Sequence, residues 1–376
     1  MIHYIGYYSD DKDEREVKVA PSAITKMNYI SSVLLKNGMD MKIYSPAYSR
    51  LKKYKYFSKK TDKVNSNLKI QYASTFGTPN IFLKVMAKFF MELQILIYLF
   101  FEIHKNDIIL VYHSKAYSLP IRIYNIFRKN KLIFEIEELY AAAWNNKRSS
   151  YKNEIKYLSN ADSYIYVNDI MDNLFRFNKP FTVCYGNYDI KIDIKNISSV
   201  TTTLIYAGVI GEKDSDVYLA VNIMNYLPSG YKLKIAGYGS ERNIDQLKNI
   251  ISEKTNIKYY GYLKGEEYDK FLLDGDIGLC TRILDNEFSN YTFPSKVLVY
   301  LSYGLIPLTT NIDCISESKI KDYVIIAKNN DPKCIASLII EMDLKNNKSS
   351  VEILKKLDDE FSYSLKKLLK DETSSN

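Results

Sequence analysis

The sequence has few of the residues that build disulfide frameworks and metal sites. It contains only three histidines and four cysteines in 376 residues. The cysteines form no C-x-x-C pair and have no neighbouring histidine; they are Cys184, Cys280, Cys314 and Cys334. This spacing argues against both a disulfide framework and a zinc site. We therefore expect a protein of a reducing compartment that holds no metal.

Long hydrophobic runs are also missing. Met1–Glu14 has no basic segment followed by an apolar one, so it does not read as a secretion signal. The most apolar stretch, Phe82–Ile103, is interrupted by polar side chains, whereas a membrane span needs roughly 20 apolar residues. We expect it to be a mostly buried helix, with the alternative that it also presses apolar side chains into a membrane interface.

The composition is that of an ordinary globular protein. Hydrophobic residues make up 46% of the chain and charged residues 26%. A single hydrophobic core stops growing at roughly 250 to 300 residues, so the length predicts two domains.

The positive charge lies in the first half of the chain. Residues 1–190 hold 28 Lys and Arg against 18 Asp and Glu, and the rest holds 24 against 26. Nine basic residues and only Asp62 as an acidic one fall in Lys42–Lys69, interleaved with aromatic residues. Such a patch suits an anionic membrane surface, and a solvated lysine-rich loop is the alternative. No nucleic-acid-binding motif accompanies it, so we expect no nucleic acid partner.

Short apolar runs alternate with amphipathic stretches along both halves. This pattern predicts βαβ units and parallel sheets with helices on both faces. The expected strands of the first half are Ile2–Tyr8, Met41–Tyr44, Leu68–Tyr72, Asp107–Tyr112, Leu132–Ile136, Ser163–Val167 and Phe181–Tyr185. Those of the second half are Thr203–Ala207, Tyr231–Ala236, Ile257–Tyr260, Ile277–Cys280, Ile306–Thr309 and Tyr323–Ala327.

The polar segment Asp189–Ser199 reads as a linker between the halves. Val351–Leu369 carries apolar residues at helical spacing and needs a partner surface. We therefore expect a first domain over 1–190, a second over 191–345, and a C-terminal helix with a short tail over 346–376 that packs back across the domain boundary.

Three segments of the second half are suited to phosphate. In Leu204–Lys213 and in Lys232–Gly239 an apolar strand runs into glycines, whose backbone can approach a ligand closely. In Asn290–Thr310, Pro294 and Ser295 suit the first turn of a helix, where free N–H groups attract anions. Lys296 adds a full charge, Gly304 stops the helix, and a buried strand follows. A plain helix-to-strand connection is the alternative.

Two D-x-D sequences invite a metal interpretation. In Asp214–Asp216 the aspartates open a helix and can cap its N–H groups, and Asp274–Asp276 precedes a strand. We do not expect either pair to bind metal.

The order and spacing of these segments resemble the retaining GT-B glycosyltransferases that build bacterial capsules and lipopolysaccharides. The supporting residues are YAGVIGEK (206–213), KIAGYGSE (234–241), IKYYGYLKGEEYDKFLLDGDIGLC (257–280) and FPSKVLVYLSYGLIPLTT (293–310). The resemblance implies two Rossmann-like doubly wound α/β domains facing each other across a cleft.

The resemblance also implies donor contacts in the second domain. Gly208 and Gly211 would approach the sugar phosphate, and the segment Gly237, Tyr238, Gly239 would lie near the nucleotide. Tyr262 and Leu263 would flank the base. Ser295 and Lys296 would meet the diphosphate, with Tyr291 and Phe293 in the same donor-binding segment.

The first domain would take the acceptor. The family often has a His-Asp pair after the strand that corresponds to FEIEELY (134–140), and the matching residues here are Glu137 and Glu138. They could bind sugar hydroxyls or act as a base, or they could simply be exposed glutamates. His113 follows a predicted strand, where α/β proteins place ligands. We take His113 and Glu138 as the candidate catalytic residues.

Three polar groups of the family pattern are missing. Tyr291 and Val299 stand where the family has two glutamates, and Val209 stands where it has an arginine. The diphosphate charge must still be met, so Lys296, Lys213 and Arg282 are the candidate cations. Retention of configuration is not implied.

We expect a cytoplasmic glycosyltransferase at the inner face of the plasma membrane. It would move a hexose from a nucleoside diphosphate sugar, which we expect to be UDP-linked, to a lipid-linked glycan in surface polysaccharide synthesis. It would need no cofactor. The alternatives are a non-catalytic GT-B scaffold subunit of an assembly complex and a GT-B sugar-nucleotide epimerase.

Overall fold

The computed structural model describes residues 1–17, 19–143, 148–191, 201–212, 215–281, 291–342 and 350–370. The chain divides into two compact units. The first comprises Met1–Asn187 and the chain from Glu360 onward, and the second comprises Tyr188–Asp359.

The first unit is built on a large, mostly parallel sheet. The described strands are β1 (Ile2–Ile5), β2 (Met41–Ser45), β3 (Tyr56–Phe57), β4 (Lys60–Lys63), β5 (Leu68–Tyr72), β6 (Thr75–Phe76), β7 (Ile108–Tyr112), β8 (Leu132–Ile136), β9 (Ser163–Tyr166) and β10 (Phe181–Val183). Their order in the main sheet is β10-β9-β8-β7-β1-β2-β5-β4, with β4 antiparallel to β5 at the edge. The short strands β3 and β6 pair separately.

Helices connect these strands. They are α1 (Pro21–Lys36), α2 (Ile81–Glu102), α3 (Ser118–Phe127), α4 (Tyr140–Ala143), α5 (Arg148–Leu158) and α6 (Met171–Phe175). Pro21 stands at the start of α1, where its missing N–H costs nothing. Asn80 caps α2 by accepting a hydrogen bond from the backbone N–H of Leu83.

The central strand β1 is buried along its whole length and contains a histidine. His3 places Nδ1 2.7 Å from the Tyr98 hydroxyl and Nε2 3.2 Å from an Asp107 carboxylate oxygen. Burial lowers the pKa of His3, so the neutral ring donates to Asp107 and accepts from Tyr98. Both ring nitrogens therefore have hydrogen-bond partners, and the bond to Tyr98 joins β1 to α2.

The second unit contains a smaller, wholly parallel sheet. Its described strands are β11 (Thr202–Ile210), β12 (Tyr231–Gly239), β13 (Ile257–Tyr259), β14 (Ile277–Cys280), β15 (Ile306–Thr310) and β16 (Ile325–Ala327). They lie in the order β13-β12-β11-β14-β15-β16. The helices are α7 (Asp216–Ile223), α8 (Glu241–Ile251), α9 (Gly265–Leu273), α10 (Lys296–Ser302), α11 (Asp313–Ser316), α12 (Pro332–Glu341) and α13 (Ser350–Leu369), the last of which ends in the first unit.

The core of the second unit joins this sheet to α7, α8 and α12. Leu204, Ile235 and Leu279 contribute from the strands, and all three are buried. Val221 of α7 and Ile339 of α12 belong to the same buried cluster. The continuous apolar runs of β11 and β14 are thus explained by burial on both faces, as in other parallel sheets.

Every strand expected from the sequence is present, with ends that differ by a few residues. The sequence pattern missed β3, β4 and β6, because β3 and β6 are only two residues long and β4 has the polar sequence KTDK. It also ended β11 and β12 too early, since both strands run on through their glycines to Ile210 and Gly239. Among the described residues, no helix is long and apolar enough to cross a membrane.

The C-terminal part of α13 packs on the first unit. Phe361 stacks on Tyr29 with ring centroids 5.8 Å apart. The Ser364 hydroxyl lies 2.5 Å from that of Thr182, and Lys131 donates to the Leu368 carbonyl at 2.5 Å. The end of the chain therefore supplies part of the core of the first unit.

We expect Phe361→Ala to destabilise the first unit by about 3 kcal/mol, because it removes a side chain that is 2% exposed and leaves a cavity against Tyr29. Urea unfolding followed by circular dichroism measures the loss. Tyr363→Ala is the matched control on the same helix, since Tyr363 is 63% exposed. A loss of under about 1 kcal/mol in both variants would contradict this role of α13.

Candidate functional site

The strand order of the second unit defines a switch point between β11 and β14. From β11 the chain moves to β12 and β13 on one side, and it then returns to β14, β15 and β16 on the other. In open α/β sheets ligands bind at the carboxyl ends of the strands at such a point. The two strands pair only at Leu204 with Ile277 and at Ile205 with Gly278. Beyond that pairing, a side chain of α10 lies between the two strands.

Tyr300 of α10 fills the gap between the two strands. Its hydroxyl accepts a hydrogen bond from the backbone N–H of Ala207 at 3.1 Å and donates one to the Leu279 carbonyl at 3.2 Å. Its ring lies against the backbone of Gly278, where a Cβ would overlap the ring atoms. The absence of a side chain at Gly278 therefore lets Tyr300 fix α10 at the switch point.

Lys296 lies one helical turn before Tyr300, on the same face of α10. Its ammonium group stands 4.4 Å from the centroid of the Tyr206 ring and directly against Gly208, where a Cβ would collide with Nζ. The resemblance assigned Lys296 and Gly208 to one donor site, and the structure brings the two together. A positive charge is thus held at the carboxyl end of β11.

Two further glycines keep the adjoining strands close. Gly208 faces Gly237 and Ile210 faces Gly239 across β11 and β12. A Cβ on Gly237 would overlap the Gly208 carbonyl oxygen, and one on Gly239 would overlap the Ile210 carbonyl oxygen. Only glycine fits at these positions, because the partner is backbone and cannot move aside.

Two tyrosines flank these glycines. Tyr238 and Tyr262 are each about half exposed, at 51% and 54%, and their rings meet edge to face with centroids 5.4 Å apart. Lys264 places Nζ 5.0 Å from the centroid of the Tyr262 ring. Leu263, expected to flank a base with Tyr262, is half-buried. Tyr238 and Tyr262 therefore form an exposed aromatic surface with a cation beside it.

The loop after β11 contributes a residue that the sequence pattern did not single out as a ligand. The Ser215 hydroxyl is buried and has no hydrogen-bond partner among the described residues. It lies close to Gly211, whose Cβ would come within 2.9 Å of Ser215 Oγ. Ser215 stands at the N-cap position of α7, but its side chain makes no capping bond. The serine hydroxyl is therefore available beside Gly211.

The start of α10 differs from the expectation. The helix begins at Lys296, so Pro294 and Ser295 precede it rather than forming its first turn, and Ser295 makes no side-chain cap. Ser295 is exposed, Phe293 is buried and Tyr291 is half-buried. The predicted end of the helix is confirmed, since Gly304 has a φ of +69°.

The structure also describes the two valines that stand at polar positions of the family pattern. Val209 is exposed beside Gly208, and Val299 is half-buried on α10. Two of the candidate cations, Lys213 and Arg282, lie outside the described residues.

The first unit places His113 immediately after β7. The side chain is 1% exposed. Its Nδ1 donates to the Glu138 carbonyl at 3.2 Å, and its Nε2 lies 3.3 Å from a Glu154 carboxylate oxygen. Burial lowers the pKa of His113 to about 3, with the nearby Lys115 acting in the same direction. The neutral ring therefore holds the segment after β8 in place.

Glu154 is a second residue that the sequence did not reveal. Its carboxylate is buried and accepts from the backbone N–H groups of Tyr140 and Ala141, at 3.0 and 2.8 Å. It also forms an ion pair with Lys115 at 3.1 Å. No local signal distinguishes this glutamate in an amphipathic helix, since its partners come from distant parts of the chain.

The two adjacent glutamates after β8 differ in their surroundings. Glu137 forms an ion pair with the buried Lys26, which also donates to the Cys184 carbonyl at 2.5 Å. Glu138 is half-buried, and burial raises its pKa, with repulsion from Glu137 and Glu154 adding to the effect. The two neighbouring glutamates are therefore not equivalent, since Glu137 is held in an ion pair and the pKa of Glu138 is raised.

A third carboxyl group stands behind this pair. Glu135 of β8 is fully buried and accepts a hydrogen bond from Tyr4. Burial raises its pKa, and the charge of Glu137 raises it further.

The aspartates of the second D-x-D sequence have structural partners. Asp276 is buried and accepts a hydrogen bond from the backbone N–H of Thr203 at 2.8 Å. Asp274 forms an ion pair with Lys234. Asp214 of the first sequence lies outside the described residues. Within the described chain no cluster of three or more metal-ligating side chains occurs.

We expect Gly208→Ala and Gly237→Ala to differ sharply in stability. The alanine methyl at 208 meets the flexible end of Lys296, which can move aside, whereas the methyl at 237 meets the rigid Gly208 carbonyl. Gly208→Ala should therefore cost under about 1 kcal/mol and Gly237→Ala more than about 2 kcal/mol. Thermal unfolding measures both, and equal losses would contradict the close approach of β11 and β12.

No family model matches the sequence, and no curated protein matches it either. Solved structures do match over nearly the whole chain. Trehalose-6-phosphate synthase OtsA superposes with a TM-score of 0.69 at 10% identity, covering 98% of each chain. The Burkholderia xenovorans α,α-trehalose-phosphate synthase in complex with glucose-6-phosphate gives 0.68 at 9% identity, covering 98% of this chain and 99% of that one.

A third match has a different name. Anabaena HepE in complex with UDP and glucose gives a TM-score of 0.66 at 10% identity, covering 98% of this chain and 99% of that one. At these identities the likeness shows the fold. The predicted α/β class with two Rossmann-like domains is confirmed, and the chain has the GT-B fold.

Proposed function

We propose that this chain is a glycosyltransferase that moves a hexose from a UDP-sugar to an acceptor. The observation that carries the proposal is the position of Lys296, whose ammonium group stands against Gly208 at the switch point of the second unit. The fold adds support, because HepE with the same fold is seen with UDP and glucose.

Lys296 would stabilise the leaving diphosphate. Cleavage of the sugar–phosphate bond leaves negative charge on the nucleoside diphosphate, and a fixed cation in a partly dry site lowers the energy of that charge. The buried hydroxyl of Ser215 would donate a hydrogen bond to the same group. Gly208 and Gly211 would let the phosphates approach the backbone.

The nucleoside would lie on the exposed aromatic surface of Tyr238 and Tyr262. Tyr238 and Tyr262 offer ring faces and edges for a base, and Lys264 beside them adds a charge that suits the ribose-phosphate side. Gly237 and Gly239 would leave room for the ribose. Tyr291 and Val299 supply no carboxylate to the sugar, so the proposal carries no assignment of retention or inversion.

The acceptor would be activated in the first unit. Glu138 has a raised pKa and can take a proton from an acceptor hydroxyl. His113 is enclosed and neutral, so its role would be to position Glu138 through the carbonyl it binds rather than to contact the sugar.

We expect Lys296→Gln to weaken UDP binding about tenfold or more, because it removes a charge-assisted contact to the diphosphate. Isothermal titration with UDP measures the effect, and turnover of UDP-glucose should fall with it. Lys248→Gln is the control, since Lys248 is exposed on α8 of the same unit. A wild-type protein that binds no UDP at millimolar concentration would refute the proposal.

We further propose that the acceptor is a lipid-linked glycan of surface polysaccharide synthesis, as in the capsule and lipopolysaccharide family that the sequence resembles, and that α2 lies on an anionic membrane. One face of α2 packs on the sheet through Ala87, Met91 and Ile95. The opposite face is 43–81% exposed and apolar. Its residues are Ile81, Phe82, Val85, Met86, Phe89, Leu93, Ile97 and Phe101.

The surroundings of this face complement an anionic surface. α3 packs beside α2 through Phe100 and Tyr124, and it adds the exposed apolar residues Ile126 and Phe127. Basic residues of the stretch Lys42–Lys69 lie in the same unit. An exposed apolar helix face in a unit with excess lysine and arginine is typical of a protein that binds an anionic membrane interface.

We expect the double variant Phe82→Glu, Phe89→Glu to abolish binding to vesicles that contain phosphatidylglycerol, because two carboxylates would have to enter the apolar layer. Vesicle flotation measures bound protein. Tyr226→Glu is the control, since Tyr226 is 50% exposed in the second unit. Equal flotation of wild type and the double variant would contradict this orientation.

A further inference from the structure

The first unit contains a cavity of about 370 Å³ at its own switch point. The chain leaves β1 for β2 on one side and later takes up β7 on the other. Tyr7 follows β1, Tyr48 follows β2 and Lys115 follows β7, and all three line the cavity. Ligands of open α/β sheets bind at this position, and the volume suits a small molecule.

The charges that line the cavity are mainly positive. Arg50 and Lys88 line it, and neither forms an ion pair with a carboxylate in the described part of the chain. Lys115 is neutralised by the buried Glu154. Glu92 is the acidic residue among the lining side chains; burial raises its pKa, and the charge of the nearby Lys88 opposes that rise. The cavity therefore carries excess positive charge.

The remaining polar groups match hydroxyls rather than a second charge. The Tyr7 hydroxyl interacts with the Ser114 side chain and lies 3.5 Å from the sulfur of Met91, a weak partner that a ligand can replace. Tyr48 adds a second phenol, and Glu92 adds a carboxyl group. Phenols and carboxyl groups both hydrogen-bond sugar hydroxyls.

We propose that this cavity binds the acceptor as a phosphorylated sugar, with Arg50 and Lys88 holding the phosphate and Tyr7, Tyr48 and Glu92 holding the sugar. The inference rests on the proposed glycosyltransferase function and names the class of its acceptor. Neither cation is in an ion pair with a carboxylate in the described chain, so each can donate charge-assisted hydrogen bonds to phosphate oxygens, and the arginine can do so with two N–H groups. An uncharged sugar would offer no negative charge to either cation.

The test is isothermal titration of the full chain with glucose 1-phosphate, glucose 6-phosphate and glucose. Wild type should bind at least one sugar phosphate and should bind glucose at least tenfold more weakly. Arg50→Gln and Lys88→Gln should each weaken sugar-phosphate binding about tenfold, as expected for one charge-assisted contact. Lys84→Gln, one turn before Lys88 on the exposed surface of α2, should leave it unchanged.

A second titration tests whether the phosphate of the acceptor belongs to a lipid. A glucose linked to farnesyl diphosphate in detergent is compared with glucose 1-phosphate. Tighter binding of the lipid-linked probe, lost in Arg50→Gln and Lys88→Gln, supports the cavity with a diphosphate lipid as its ligand. Equal affinities support it with a soluble sugar phosphate.

The donor site is titrated in parallel with UDP. Arg50→Gln and Lys88→Gln should bind UDP as wild type does, whereas Lys296→Gln should not. Failure of UDP to bind, with sugar phosphate still dependent on Arg50 and Lys88, refutes the donor proposal and supports the cavity as a phosphosugar site. Sugar-phosphate affinities unchanged in both variants, or no binding of any phosphorylated probe to wild type, overturn this inference.

Discussion

The candidate donor site depends on the contact between Tyr300 and Gly278. The two central strands of the second unit stop pairing at Gly278, and their next polar backbone groups would be buried without partners at a cost of about 1–3 kcal/mol each. The Tyr300 hydroxyl satisfies one group on each strand. Because Tyr300 is part of α10, these two hydrogen bonds also fix the direction of the helix. Lys296, one turn earlier, has its position set by those bonds rather than by its own contacts alone.

A second constraint acts on the same edge. The glycines of β11 and β12 face each other or a carbonyl, so the two strands can stay paired to their very ends. An ordinary residue at Gly237 would force the strands apart, and Gly208 would no longer lie beside Lys296. The glycines therefore do more than leave room for a ligand. They also let β11 stay paired with β12 where the ammonium group of Lys296 contacts Gly208.

The sequence predicted the sheets well, and it also predicted that Lys296 and Gly208 lie together. Parallel strands are buried on both faces, so their apolar runs are visible in the sequence, and Lys296 with Gly208 could be found because each lies in a recognisable segment. Tyr300, Ser215 and Glu154 could not be found, since their importance comes from partners far away in the chain. The same reason explains the difference between Glu137 and Glu138, which are neighbours in sequence. Only the fold brings Lys26 to Glu137 and leaves Glu138 with a raised pKa.

Partner choice also separates the lysines and arginines of the first unit into two groups. Lys26 and Lys115 are tied to Glu137 and Glu154, and desolvation is offset within each pair, so these cations stabilise structure. Arg50 and Lys88 lack such partners in the described chain and stand at the rim of a cavity. Net charge alone could not distinguish the two groups, although it placed the excess in this half. Lys26 and Lys115 are thus charges that the fold itself matches, whereas Arg50 and Lys88 are the charges to which the proposed phosphorylated acceptor would bind.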